Sequence, residues 1–281
     1  DPVKAYEYMA AGKPVVTSDL PELRPHGALF QRAEDPETFT RKLEEALLES
    51  DPALVQARRA FAQENSWQSR GAAMEAVVEE LFPQVSIVIV TWNNLGFTRQ
   101  CLESLRANTC WPRWEVIFVD NGSTDDTPAY LTEAAAGDER ITVIFNEDNR
   151  GFAAANNQGL ARAAGDFLVL LNNDTVLPRG WLSRLIRNLE SDPEIGLIGP
   201  VTNNVWNEAR QVAGYRDIGG LTRFARTWGN EHESLLYPID VLAMYCVVMP
   251  RAVFTRIGDL DERYGIGMFE DDDYAHRVRA A

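Results

Sequence analysis

The runs at residues 85–90, 115–119, 141–145 and 167–171 constrain this chain most, because each is short, apolar and rich in Val, Ile, Leu or Phe. Strands that read as continuous apolar runs are buried on both faces, and their alternation with helical stretches implies a parallel sheet covered by helices on both sides. The intervening helices are expected at 97–107, with Cys101, Leu102 and Leu105 inward, from Thr127-Pro128 onward, and at 152–164, ended by Gly165. A further helix is expected at 181–189, a strand at 241–249 and a helix at 273–280, with loops across the Asn-, Gly- and Arg-rich stretch 200–237. Open parallel sheets bind ligands beyond the carboxyl ends of their strands. The polar residues that end these runs are therefore the first candidates for function.

Residues 1–83 follow a different pattern from 84–281, and the two are read as separate domains. In the first, residues 5–11 are helix-like, Gly12 is a helix stop, and Pro14-Val15-Val16-Thr17 makes a short strand. Asp35-Pro36 and Asp51-Pro52 open two helices with Pro at the first helical position. A third helix runs from Trp67 to Phe82, with Met74, Val77, Val78 and Leu81 on one face and Pro83 closing it. The block holds too few strands for a sheet of its own. The chain begins at Asp1-Pro2 and ends inside a helical pattern, so it reads as a fragment of a longer protein.

Charge and composition exclude some classes. A formal net charge of −15 over 281 residues, with no basic face, argues against nucleic acid as a partner. An acidic protein still accommodates a nucleotide diphosphate when a divalent cation bridges the charges. Cys101, Cys110 and Cys246 are scattered, with neither metal-ligand spacing nor a disulfide framework, which fits a reducing cytosol. No apolar run is long enough for a transmembrane segment.

The strand ends carry the chemistry. Asp120, before Asn121-Gly122-Ser123, can accept a base imide or a ribose hydroxyl; a polar turn in which Asp120 caps the next helix explains the same residues. Thr91-Trp92-Asn93-Asn94 can line a base pocket or simply turn the chain. Arg150 offers a fork of donors for phosphate or sugar oxygens, beside Gly151, where backbone can approach a ligand at a helix start; an exposed Arg in a turn explains the same residues. Asp174, beside Asn172 and Asn173, suits one Mg²⁺ or Mn²⁺ whose shell is completed by phosphates. Acidic runs such as Glu270-Asp271-Asp272-Asp273 are usually solvated or serve helix N-termini, but crowded carboxylates also raise one another's pKa, as a general base requires, and Arg277 stands one turn beyond Asp273 to pair with it. His276 is read as an exposed helix residue.

Taken in order, the stretch from Val85 to Asn93, the Val119-Asp120-Asn121-Gly122-Ser123-Thr124-Asp125 segment, Asn149-Arg150-Gly151-Phe152 with Asn156-Asn157, Asn172-Asn173-Asp174 and Phe269-Glu270-Asp271-Asp272-Asp273 resemble the family 2 glycosyltransferases of the GT-A fold, especially the bacterial rhamnosyltransferase-like branch. The resemblance implies an α/β GT-A fold and an inverting transfer from a nucleotide-diphosphate sugar to a hydroxyl of a glycan or lipid-linked glycan, in cell-envelope or capsular polysaccharide synthesis. It further implies a cytoplasmic place, with or without peripheral contact at the inner face of the membrane. By the resemblance Thr91, Asn93 and Asp120 hold the nucleoside, Arg150 and Asn157 lie along the donor, and Asn173 and Asp174 occupy the metal motif with Asp174 as the divalent-cation ligand. Asp271 is the catalytic base and Glu270 an acceptor contact. Asn172 departs from the motif, since the family has Asp there and a neutral amide binds a cation less strongly.

The stretch from Pro2 to Val16 resembles instead the donor-site segment of GT-B glycosyltransferases of the family 4 type, with Glu7 at the ribose-binding glutamate and the helices through Ser66-Trp67 ending that Rossmann-like fold. Most of that fold is absent, so the block is expected to be catalytically inert and Glu7 an exposed helix residue. Two other classes share features of the larger domain. A sugar nucleotidyltransferase has a similar sheet but places a Gly-rich basic loop where Thr91-Trp92-Asn93-Asn94-Leu95 stands. A catalytically inactive nucleotide- or glycan-binding module has no need for both Asp174 and Asp271.

Overall fold

The computed structural model describes residues 3–281; Asp1 and Pro2, the latter quoted in the GT-B-like stretch, lie outside the described residues. The chain divides between Glu80 and Leu81 into two compact units.

The smaller unit contains α1 (Val3–Ala10), β1 (Val15–Thr17), β2 (Phe30–Arg32), α2 (Pro36–Leu48), α3 (Pro52–Glu64) and α4 (Trp67–Leu81). Both Asp-Pro starts behave as the local chemistry requires: Asp35 accepts the Thr38 N–H and Asp51 the Ala53 N–H, each at 2.8 Å. Met9, Val15, Phe30 and Phe61 form its small core. The β2 strand, which had no clear signal, pairs in parallel with β1. Arg58 is buried and its guanidinium is bound by both carboxylate oxygens of Glu49. Glu7 is exposed on α1, as expected.

The larger unit contains β3 (Val85–Thr91), α5 (Leu95–Asn108), β4 (Trp114–Asp120), α6 (Thr127–Ala136), β5 (Ile141–Phe145), α7 (Phe152–Arg162) and β6 (Phe167–Leu171). After these come α8 (Trp181–Glu190), α9 (Ile218–Glu231), β7 (Cys246–Pro250), α10 (Arg251–Ile257) and α11 (Glu270–Ala280). The sheet order is β5-β4-β3-β6-β7, parallel except for β7. The chain moves outward from β3 through β4 to β5, then returns to the other side of β3 as β6. That reversal opens a crevice beyond the carboxyl ends of the central strands. Side chains alternate between two cores. Ile87, Ile89, Val116 and Phe118 face Leu102, Leu105 and Leu185 on one side; Val88, Ile117 and Val119 face Leu160, Leu260 and Tyr274 on the other.

The structure corrects two readings of the sequence. The stretch 200–237 is not all loop: α9 lies within it. Asp217 caps it by accepting the Gly220 N–H at 2.7 Å, and Tyr215, Phe224, Trp228 and His232 form a ladder of ring contacts along it. Glycines at 219, 220 and 229 had obscured that period. The last strand starts at Cys246 rather than 241, because Cys246 is the partner of Leu171, where β6 ends, and the residues before it find no ladder.

Helix α7 lies close against the sheet because Gly159 faces Val88: a Cβ at that glycine would stand 2.3 Å from Val88 Cγ1. Gly159→Ala is expected to destabilise the larger unit by about 1–3 kcal/mol in denaturant unfolding through overpacking. Helix propensity alone would instead bring a gain of about 1 kcal/mol, and observing that gain would show that Val88 can move aside.

Candidate active site

At the carboxyl ends of β3 and β4, Thr91 and Asp120 are register partners and both are buried. The Thr91 hydroxyl donates to Asp120 Oδ1 at 3.1 Å, and Oδ2 accepts the Ser123 N–H at 3.1 Å. Asp120 therefore shapes its own turn while keeping lone pairs for further donors. Asn93, in a left-handed conformation at φ 56°, uses its side-chain oxygen to accept the N–H groups of Thr124 (2.7 Å) and Asp125 (3.3 Å). Its own N–H donates to Ser123 Oγ at 2.6 Å. The loops after β3 and β4 are thus fastened into one rim.

The next fastening is Asn121, buried at 2% exposure. Its amide nitrogen donates to Asn149 Oδ1 (2.8 Å) and to the Gly151 carbonyl (3.2 Å). Its oxygen accepts from the Asn146 amide (3.1 Å) and the Arg150 N–H (3.0 Å). Arg150 is held by its backbone while its side chain is exposed. Gly151 has φ 87° and abuts the Gly265 carbonyl so closely that an added Cβ would lie 1.9 Å from that oxygen.

At the end of β6, Asn172 donates its N–H to the Tyr245 carbonyl, and its own carbonyl accepts the Thr175 hydroxyl at 2.8 Å. The Asn173 amide donates to Thr98 Oγ1 at 2.9 Å. Asp174 is exposed. Among the described residues no group of three or more His, Cys, Asp or Glu side chains converges on a point that could hold a metal ion. A resident metal centre does not fit these residues. One carboxylate with open space around it does fit as a single ligand to a cation whose other oxygens come from a diphosphate.

The acidic cluster forms the first turn of α11, three residues earlier than the helix was expected, where the positive end of the helix dipole favours negative charge. Glu270 is buried, and its Oε2 has no hydrogen-bond partner among the described residues. Asp271 is half-buried; burial and then the Asp272 charge hold its carboxyl above the ordinary 3.8. Asp273 pairs with Arg277 at 2.8 Å, and His276 is exposed. The helix is entered through Met268 (φ 100°) and Phe269 (φ 75°), both left-handed non-glycine residues with exposed side chains. Such conformations are costly and cluster at functional sites.

Two expected positions look different in the fold. Asn157, expected along the donor, has its amide fully engaged with Leu260 and Glu262, leaving no free donor for a ligand. Trp228, in the stretch expected as loop, stands on α9 between Phe224 and His232, with ring centroids 5.8 and 4.0 Å away, whereas Trp206 is exposed. Residues missed from the sequence are Asn121, Thr98 and Gly265. Only Asn121 carried a local signal, the Asn-Gly turn pair, which says nothing of the four bonds its side chain makes.

The family model described as Glycosyl transferase family 2 matches residues 86–257. Protein y4gI of Sinorhizobium fredii is 28% identical over 208 residues, 71% of this chain and 23% of that protein. The O-antigen biosynthesis protein RfbC of Myxococcus xanthus is 29% identical over 197 residues, 66% of this chain and 15% of that protein. The chain thus spans a quarter or less of either relative's length. Among solved structures, mannosyltransferase PcManGT from Pyrobaculum calidifontis, in complex with GDP-Man and Mn²⁺, superposes with a TM-score of 0.52 at 23% identity, over 70% of this chain and 52% of that one. That likeness supports the mostly parallel α/β fold.

A carboxyl whose pKa is raised on folding opposes folding once ionised. For Asp271 the cost is absent below the ordinary value of 3.8 and grows in as pH rises through the higher folded value. Asp271→Asn is expected to melt above wild type at about pH 7 and level with it at about pH 3. Equal melting at both pH values would remove burial as the cause.

Proposed function

Because the chain belongs to glycosyl transferase family 2 by the match over residues 86–257, we propose that it moves a sugar from a nucleotide diphosphate to a hydroxyl acceptor, with inversion, in the synthesis of an envelope polysaccharide. The observation that carries this reading is the start of α11. A buried, unpaired Glu270 oxygen and a half-buried Asp271 with a raised pKa open this helix, directly after a loop docked against the start of α7. The GT-A architecture and the RfbC likeness point the same way; a rhamnosyltransferase-like donor choice belongs to this proposal too.

In this reading, Asp271 takes the proton of the acceptor hydroxyl as that oxygen attacks the anomeric carbon, and the nucleoside diphosphate leaves from the opposite face. Glu270 accepts a hydrogen bond from the acceptor through its unpaired oxygen. Thr91, Asn93 and Asp120 form the nucleoside rim, with the exposed Arg150 beside the diphosphate and Asn173 supporting the β6 end. Mg²⁺ or Mn²⁺ arriving with the donor would have Asp174 as its one carboxylate ligand and would neutralise the leaving diphosphate. Positioning and charge stabilisation supply most of the acceleration. The acceptor is a glycan or lipid-linked glycan. Among the described residues no helix is long and apolar enough to cross a membrane. The smaller unit, with Glu7 exposed on α1, is proposed as the inert end of a GT-B donor domain.

Calorimetry with UDP, dTDP and GDP, each with and without Mn²⁺, is expected to single out one nucleotide whose binding weakens without the metal and in Asp174→Ala. Binding that survives both changes would remove Asp174 as a ligand. Asp271→Asn is expected to abolish transfer while leaving nucleotide affinity intact, and persisting turnover would rule out Asp271 as the base.

A further inference from the structure

Asn157 is buried on α7, and its side chain mimics a peptide group. Its oxygen accepts the Leu260 N–H at 2.9 Å, and its nitrogen donates to the Leu260 carbonyl at 2.9 Å and to Glu262 Oε1 at 3.0 Å. Every hydrogen-bonding position on the nitrogen is used, on a segment more than a hundred residues away in sequence. Five residues earlier on the same helix, the Phe152 N–H donates to the Ile266 carbonyl at 3.1 Å, and Gly151 abuts Gly265. The stretch from Leu260 to Ile266 is therefore fastened at both ends to the first two turns of α7. Arg277 binds the preceding stretch, donating to the Ile257 (3.2 Å) and Asp259 (3.0 Å) carbonyls while paired with Asp273. What emerges from this clamp is the pair of left-handed residues Met268 and Phe269, followed at once by Glu270 and Asp271. The start of α7 is in turn knotted to the end of β4 by Asn121.

We propose that Asn157 is a positioning residue: by holding Leu260 and Glu262 it sets where Asp271 stands relative to the nucleotide end of the sheet. It acts on the transfer step and makes no contact with the donor. The proposal rests on the reading of Asp271 as the base. The physical reason it matters is steep distance dependence, since a displacement of about 1 Å at a reacting group costs up to about a hundredfold in rate. A loop in costly backbone conformations returns to ordinary ones when its fastening is removed.

The test compares Asn157→Ala, Glu262→Ala and the conservative Glu262→Gln in the full chain. In Glu262→Gln the amide oxygen introduced at position 262 can still accept from the Asn157 nitrogen, so the side-chain bond of the clamp is kept without the charge. Asn157→Ala is expected to lower kcat by about tenfold or more, with nucleotide affinity and donor KM within about twofold of wild type. Glu262→Ala, at an exposed position where misfolding is not at issue, is expected to show a smaller loss of the same kind. Glu262→Gln is expected to keep kcat within about twofold of wild type, since the acceptor for Asn157 is retained. Hydrogen exchange of residues 258–271 is expected to quicken in Asn157→Ala while the sheet stays protected.

A parallel loss of nucleotide affinity and kcat would overturn the proposal and return Asn157 to the donor. Unchanged kcat with unchanged exchange would overturn it as well. If the wild type transfers no sugar to any acceptor, the family-based reading of activity fails. The clamp is then judged by exchange alone, and unchanged protection of 258–271 in both alanine variants would still refute it.

Discussion

Strand β3 is hydrogen-bonded along both edges, to β4 and to β6, and buried on both faces; the larger unit depends on that constraint. A central strand without a free edge or face leaves only its ends for chemistry. The pairing of Val85 with both Trp114 and Phe167 fixes where the neighbouring strands stop. Thr91 and Asp120 thereby become neighbours, and the turn after Leu171 opens on the same side. Backbone register, set by apolar side chains that contact no ligand, decides which polar residues share a crevice.

The crevice is built largely with amides. Asn93, Asn121 and Asn157 each pin backbone or side chains from a distant segment, and Asn121 alone reaches Asn146, Asn149, Arg150 and Gly151. A neutral amide donates and accepts at once, so it can satisfy buried backbone without importing a charge that would need a counter-ion. In a chain with a net charge of −15 that is a useful economy. It leaves the carboxylates of Asp174 and Asp271 outside the structural network, whereas the Asp120 carboxylate is itself part of it. Glycine completes the arrangement at 122 and 151, where positive φ and contact with the Asp148 and Gly265 backbones exclude any side chain.

The start of α11 balances opposing terms. The helix dipole and exposed N–H groups favour the four consecutive acidic residues, while the partial burial of Asp271 disfavours its charged form. Among the described residues, Asp273 is the one of the four seen paired with a cation, Arg277, which also carries the carbonyls of residues 257 and 259. A cluster retained without further compensation, and entered through two left-handed residues, is stabilised by the rest of the fold rather than by its own interactions.

Much of the fold was legible from pattern alone. The strands at β3, β4, β5 and β6, the helix starts at Asp35-Pro36, Asp51-Pro52 and Thr127-Pro128, and the pairing of Asp273 with Arg277 follow from local chemistry and short-range periodicity. Helix α9 was hidden by its glycines, and the start of β7 depended on where its partner strand ends. The site divides along the same line. The residue types at the strand ends were readable because polar groups that close an apolar strand need hydrogen-bond partners there, in the fold or in a ligand. The roles of Asn121, Asn157 and Gly265 were not, because each acts on residues between 25 and 114 positions away in sequence. The sequence by itself determined the alternation of strands and helices and the chemical groups offered at their ends, since these rest on interactions among near neighbours. Only the tertiary structure decided which of those groups stay free for a ligand and which are consumed in holding the loops, because that depends on contacts that exist only once the sheet has formed.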